Sequence, residues 1–203
     1  MPAPSGAIVA FDFDGTLTTR DSFMMFLAWR VMAPRYLGGL GRLLPAVAAY
    51  LGDHDRGRLK AAAVREFLRG LPRNVLEAEA QAFARSTSAR LLRPDALETW
   101  RQWGVRGATR VIVTASPEVT IAPFAHVLGA DTLIGTRLKF DAEDRVEGGL
   151  EGENCRADEK VRRLREWFGP DVRLAAAYGD TSGDHAMLGI ADEQGYRVFK
   201  QKP

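Results

Sequence analysis

Hydrophobic positions change their period along the 203 residues, and each change marks a different kind of element. Ile8-Val9-Ala10-Phe11 is an unbroken apolar run of strand length, and Gly15-Thr16 punctuates its end. It predicts a short buried β-strand within residues 7–14. From about 20 to 90 the spacing is helical throughout: "DSFMMFLAWRVM", "YLGGLGRLLPAVAAYL", "RGRLKAAAVREFLRGL" and "RNVLEAEAQAFARSTSARLL". Breaks near Pro34, Asp53-His54-Asp55 and Pro72 divide this stretch into four helices with no strand among them, an inserted helical bundle. Past Pro94 the rhythm alternates. A helix over 95–103 leads to a strand ending at Thr114, then a helix from near Pro117 and a strand over 131–136. A hairpin through 137–150 and a charged helix over 157–168 follow. A strand over 172–180, a helix in "SGDHAMLGIA" and a last strand over 196–199 complete the chain. Alternating β and α predicts an α/β fold, a mostly parallel Rossmann-like sheet with helices on both faces. The expected division is a core of 1–19 and 91–203, with 20–90 as a helical cap. No internal repeat or low-complexity tract interrupts it.

Composition narrows the class. Apolar residues at 46% and charged residues at 27% are those of an ordinary soluble globular protein, and a net charge of +2 gives no strong pull towards nucleic acid. A lone Cys155 excludes an internal disulfide framework and a multi-cysteine metal site, and reads as a small buried hydrophobe. The first residues lack a positive segment followed by an apolar core, so no secretory signal is expected and a cytoplasmic location is. The apolar stretch 36–52 is interrupted by Arg42 and Pro45 and falls short of the roughly 20 residues a span needs. Two readings of it stay open: the inner face of the cap, or a surface lying on the inner membrane with Arg30, Arg35 and Arg42 near anionic headgroups. Lysine is scarce, with only Lys60, Lys139, Lys160, Lys200 and Lys202, so a well-placed one stands out.

The candidate chemistry sits where predicted strands end. Asp12 and Asp14 close the first, Thr114 the second, and Gly179-Asp180 the late one, with Asp184 just after. In a parallel sheet these tips share the edge where ligands bind. Two carboxylates about 4 Å apart repel by roughly 4 kcal/mol at an effective dielectric near 20, so a cation, a shared proton or solvent must compensate them. Asp12, Asp14 and Asp180 offer hard oxygen ligands that suit Mg²⁺.

"DFDGTLT" (12–18), "VIVTAS" (111–116), "EKVRRL" (159–164) and "GDTSGD" (179–184) are similar to the four ordered motifs of haloacid dehalogenase (HAD) superfamily phosphohydrolases. The helical insertion between the first two resembles the small cap of the phosphoserine-phosphatase-like branch, subfamily IB. The apolar cap segment and "CRADEKVRRL" resemble the phosphatidylglycerophosphatase members with a helical cap. The resemblance implies a Mg²⁺-dependent phosphomonoester hydrolase with Asp12 as nucleophile and Asp14 as general acid and base. It places Mg²⁺ on Asp12, the Asp14 carbonyl and Asp180, and the phosphoryl group on Thr114, the Ala115 N–H and Lys160. Asp184 would orient Lys160. Close phosphoserine phosphatases carry their lysine nearer position 156, so Arg156 is the alternative cation. Asp21, Ser116 and Arg156 are expected to touch substrate and set specificity.

The same branch frames the substrate. Asp21 falls where phosphoserine phosphatases carry an acidic cap residue. Their cap arginine, however, aligns with Ala61-Ala62-Ala63, which leaves a substrate carboxylate without its partner. A soluble phosphomonoester and a lipid-linked one such as phosphatidylglycerophosphate both remain. "FMMFLAW" (23–29) reads as core or as pocket lining. His54, His126 and His185 are expected to be structural. Three other classes stay open: a receiver-type phospho-switch, which the Asp-x-Asp-Gly-Thr strand end argues against, a phosphotransferase, and a catalytically idle regulatory protein. Cap motion is expected about hinges near 17–21 and 88–94.

Overall fold

Side chains of the first strand alternate between two buried faces. Val9 and Phe11 enter one hydrophobic cluster, and Ile8 and Ala10 the other. A strand buried on both sides belongs in the middle of a covered sheet. In the computed structural model, which describes residues 6–53 and 56–203, that is its place. His54 lies outside the described residues, and so do the side chains of Asp53 and Arg56.

In chain order, β1 (Ile8–Phe11) runs into a wide turn (Phe13–Leu17) and then five helices. These are α1 (Ser22–Arg30), α2 (Ala33–Arg42), α3 (Leu44–Asp53), α4 (Arg56–Leu68) and α5 (Arg73–Leu91). There follow α6 (Pro94–Val105), β2 (Thr109–Pro117), α7 (Glu118–Leu128), β3 (Thr132–Phe140) and β4 (Val146–Glu151). The chain closes with α8 (Asp158–Phe168), β5 (Leu174–Gly179), α9 (His185–Leu188) and β6 (Ala191–Tyr196). The six strands form one sheet in the order β4-β3-β2-β1-β5-β6, parallel except for the antiparallel β3–β4 hairpin. This is the expected mostly parallel α/β fold. The carboxyl ends of β1, β2 and β5 therefore meet on one edge.

Three elements differ from the sequence expectation. The apolar stretch 36–52 is not one helix: the chain breaks between α2 and α3, where Pro45 has no N–H to continue the ladder and sits in the first turn of α3 instead. The 131–136 strand runs on to Phe140 as the first arm of the hairpin. The last strand is Ala191–Tyr196, paired with β5 from Leu174–Ala191 to Gly179–Tyr196, not 196–199. It is an edge strand whose Asp192, Glu193 and Gln194 face solvent, so no apolar run marks it. Phe199 lies beyond it, its ring 5.3 Å from Tyr178 and 6.3 Å from Phe11.

The inserted helices are tied to the sheet at several points. Thr19 donates its N–H to Leu91 O at 2.9 Å and Arg93 donates to Leu17 O at 2.9 Å, so the entry and exit strands of the insertion bond to each other. Gly70 N–H bonds Val146 O at 2.8 Å, Val146 N–H bonds Leu71 O at 2.9 Å, and Arg73 N–H bonds Asp144 O at 2.9 Å. An aromatic chain crosses the same boundary: Phe26 and Phe83 are 5.6 Å apart, Phe83 and Phe124 6.0 Å, Phe124 and Phe13 5.3 Å. α5 thus shares one core with α7 and the sheet.

Candidate active site

β1 delivers Asp12 to the sheet edge, where its N–H bonds Tyr178 O at 2.9 Å. The chain must then turn within two residues, and Gly15 takes φ +84° to do so. A Cβ there would stand 2.2 Å from Asp180 Oδ2, so glycine is required twice over, by backbone conformation and by the neighbouring carboxylate. The turn aims Asp14 back at the insertion. Its Oδ1 accepts the Ser22 N–H at 2.6 Å and its Oδ2 accepts the Ser116 hydroxyl at 2.5 Å. Thr114 is fully buried at the end of the regular part of β2, its hydroxyl accepting the Ser116 N–H at 3.0 Å.

α8 starts from a strained residue, Ala157 at φ 53°, whose N–H bonds Gly183 O at 2.9 Å. That turn sends Lys160 inward with 1% of its surface exposed. Its ammonium donates to Asp12 Oδ1 at 2.6 Å, Asp184 Oδ1 at 2.7 Å and Val113 O at 2.6 Å, which uses all three N–H groups. Asp184 is itself held by the Asp180 N–H at 3.2 Å and the Thr181 N–H at 2.9 Å on its second oxygen. Arg156 donates to Ser182 Oγ at 3.2 Å, and the cation beside Asp12 is Lys160.

Burial sets the protonation of this cluster. It pushes Asp12 from an ordinary 3.8 up to about 7, against the pull of Lys160. It also raises Asp14, with Asp21 adding repulsion, and Asp180, with Asp184 adding repulsion. Burial alone would lower Lys160, but Asp12 and Asp184 outweigh it and hold it above the usual range, fully charged. Burial would raise Asp184 too, yet Lys160 and the donors of Thr181 hold it below the usual range.

One carboxylate oxygen each from Asp12, Asp180 and Asp184 falls within 4.8 Å of the others, an all-oxygen cluster suited to a hard divalent cation. Among the described residues Asp180 Oδ1 is buried with no hydrogen-bond partner, whereas both oxygens of Asp184 are already bonded. The residues present therefore fit Mg²⁺ on Asp12 and Asp180, with Asp184 bonded to Lys160.

A cavity of about 610 Å³ opens over this edge, walled on one side by the insertion. Asp12, Asp14, Thr114, Ala115, Ser116, Lys160, Asp180, Asp184, Asp21 and Arg156 all line it, so the structure brings every sequence-predicted site residue together. Asp21 does so while capping α1, accepting the Met24 N–H at 2.8 Å. "FMMFLAW" divides: Phe23 and Met24 reach the cavity, and Phe26 and Leu27 are core. His126 and His185 lie away from it, His185 against the Tyr196 ring at 5.0 Å. Cys155 is buried, and that burial pushes its thiol up to about 11. Among the cavity residues that sequence reasoning did not assign to the site are Asn154 and Lys60. Asn154 accepts the Thr136 hydroxyl at 2.9 Å, and Lys60 comes from α4, its ammonium bonded to Ala115 O. The scarcity of lysine was the available signal for Lys60.

The fold and this edge define a member of the haloacid dehalogenase-like hydrolase family, whose model matches residues 9–189; the chain belongs to it. It is similar to protein CicA of Caulobacter vibrioides, 61% identical over 196 residues, which cover 97% of this chain and 88% of that one. It also resembles a histidinol-phosphatase of Neisseria meningitidis serogroup C, 26% identical over 202 residues, 92% of this chain and 87% of that one. Among solved structures, a Bordetella pertussis Tohama I protein of unknown function superposes with a TM-score of 0.76 at 23% identity, covering 91% of this chain and 86% of its own. A phospho-aspartyl intermediate analogue of phosphoserine phosphatase superposes at 0.62 and 19% identity, covering 93% and 85%.

Proposed function

We propose that this protein is a Mg²⁺-dependent phosphomonoester hydrolase that works through an aspartyl-phosphate on Asp12. The observation that carries the reading is the meeting of Asp12, Asp14 and Asp180 with Lys160 in one cavity at the ends of β1 and β5. The relatives named for phosphatase activity support it. Lys160 holds Asp12 Oδ1, leaving the second oxygen to attack phosphorus. As the phosphorus–alkoxide bond breaks, Asp14 gives its proton to the leaving oxygen. It then takes one from the water that hydrolyses the aspartyl-phosphate, a double role suited to a carboxyl whose pKa burial has raised. Thr114 and the Ala115 backbone hold phosphoryl oxygens. Bound Mg²⁺ would offset the charge between carboxylate and phosphate dianion.

Residues 20–90 act as the cap over a core of 1–19 and 91–203. The bonds of 70–73 to 144–146, and α5 against α7, tie much of that cap to the core. A swing of the insertion about 17–21 and 88–94 to admit substrate has to break these ties or be confined to the helices they do not hold.

A second reading of the substrate has its own observation. Residues 22–52 contain no Asp or Glu, and Met32, Leu37, Leu44 and Leu51 of this segment are 81%, 65%, 66% and 69% exposed, with Arg35 beside them. No helix among the described residues is long and apolar enough to cross a membrane. Arg30 and Arg42 are paired with Glu79 and Glu66, each at 2.6 Å, which leaves Arg35 for headgroups. An exposed apolar segment without acids of its own, whose Tyr50 lines the cavity, suits a lipid-linked phosphomonoester at an anionic surface. Phosphate release over a panel of phosphatidylglycerophosphate, phosphoserine, sugar phosphates, nucleotides and p-nitrophenyl phosphate tests both readings. Activity dependent on Mg²⁺ is expected, and its ranking separates lipid from soluble substrates. No turnover of any of them by folded, Mg²⁺-loaded protein would contradict the hydrolase reading.

A further inference from the structure

We propose that Lys60 determines specificity, its ammonium recognising an anionic group, carboxylate or phosphodiester, on the leaving alcohol. The inference rests on the phosphatase reading above. α4 lays Lys60 into the cavity from the insertion, beside the apolar groups Phe23, Met24, Leu59 and Ala63, with Asp21, Tyr50 and the exposed Arg20 also lining that side. Among the described residues its one hydrogen bond is to Ala115 O. An ammonium has three donors, so two stay available to a ligand. Lys160, by contrast, has none left. Arg156 already donates to Ser182.

Lys60 reaches the cavity from the insertion, whereas Asp12, Thr114 and Lys160, the groups around the phosphoryl position, come from the core, so its free donors lie on the side towards which the leaving alcohol extends. Burial lowers its pKa, opposed by the carboxylates of Asp14, Asp21 and Asp12. An anionic group on the substrate would take up the two unused donors through charge-assisted hydrogen bonds. A purely structural Lys60, tying α4 to Ala115, would change stability without changing which substrates are preferred.

The test compares 3-phosphoglycerate with glycerol 3-phosphate, whose leaving alcohols differ by one carboxylate. Phosphatidylglycerophosphate in detergent micelles provides the phosphodiester arm. In Lys60→Gln, which keeps a donor for Ala115 O but loses the charge, the kcat/KM ratio of an anionic over the neutral substrate falls at least about tenfold, through KM. Lys60→Arg restores that ratio to within about threefold. The arm with the larger loss identifies the anion. A ratio unchanged in Lys60→Gln and in Lys60→Met overturns the proposal. Should wild type turn over nothing, the phosphatase reading fails, and calorimetry on the Mg²⁺-loaded Asp12→Asn protein decides Lys60 separately. Tighter binding of 3-phosphoglycerate than of glycerol 3-phosphate, abolished by Lys60→Gln, supports it, and equal binding overturns it.

Discussion

Lys160 Nζ stands 2.6 Å from Asp12 Oδ1 and 2.7 Å from Asp184 Oδ1, with all three groups out of solvent. Removing one partner of such a cluster strands the remaining charges. Lys160→Met is therefore expected to lose about 3–5 kcal/mol of stability in denaturant unfolding, as well as nearly all turnover. Lys160→Arg does not rescue it, because a planar fork cannot reproduce three short bonds converging on one nitrogen. A Lys160→Met protein as stable as wild type would show that the cluster is not charged as described.

Stability should depend on pH in an unusual direction. Asp12 titrates near 3.8 when unfolded and near 7 in the fold, so between those values the native state holds more protons. Stability of the metal-free protein then falls as pH rises from about 4 to 7 and stays lowered above that. Asp14 and Asp180 are raised too and act in the same sense. Melting temperatures at pH 5 and pH 8 should show this decline, Asp12→Asn should flatten it, and Mg²⁺ should lift the pH 8 value most.

Ser116 donates to Asp14 at 2.5 Å, and that bond favours the carboxylate form. Ser116→Ala should raise Asp14 further, moving the pH optimum of kcat upward and lowering kcat about tenfold. A profile of unchanged shape would mean that Ser116 does not tune Asp14.

Phe83 links α1 to α7 through ring contacts with Phe26 and Phe124. If insertion and sheet share one core, Phe83→Ala should lower stability by about 3–5 kcal/mol and leave a single unfolding transition. Two separated transitions would indicate a cap that folds by itself.

What the sequence disclosed follows from where its signals are local. β1, β2 and β5 are apolar runs ended by small or acidic residues, so the strands and Asp12, Asp14, Thr114 and Asp180 could be read directly. β6 could not: an edge strand exposing Asp192, Glu193 and Gln194 has no apolar alternation. The choice between Lys160 and Arg156 depended on how α8 begins. A positive-φ alanine at 157 sets that, and nothing in the residue type announces it. Lys60 was hidden for another reason. Its place in the cavity, bonded to Ala115 O, comes from the packing of α4 against the core, a long-range relationship that spacing along the chain does not encode.

The most direct test of the central claim is to look for phosphate on Asp12. Protein with Mg²⁺ and p-nitrophenyl phosphate would be quenched in acid during turnover and its peptides weighed. The account predicts one added phosphoryl group on the peptide containing Asp12, absent with EDTA and absent in Asp12→Asn. Phosphate release without that adduct, or an adduct on any other residue, would contradict it.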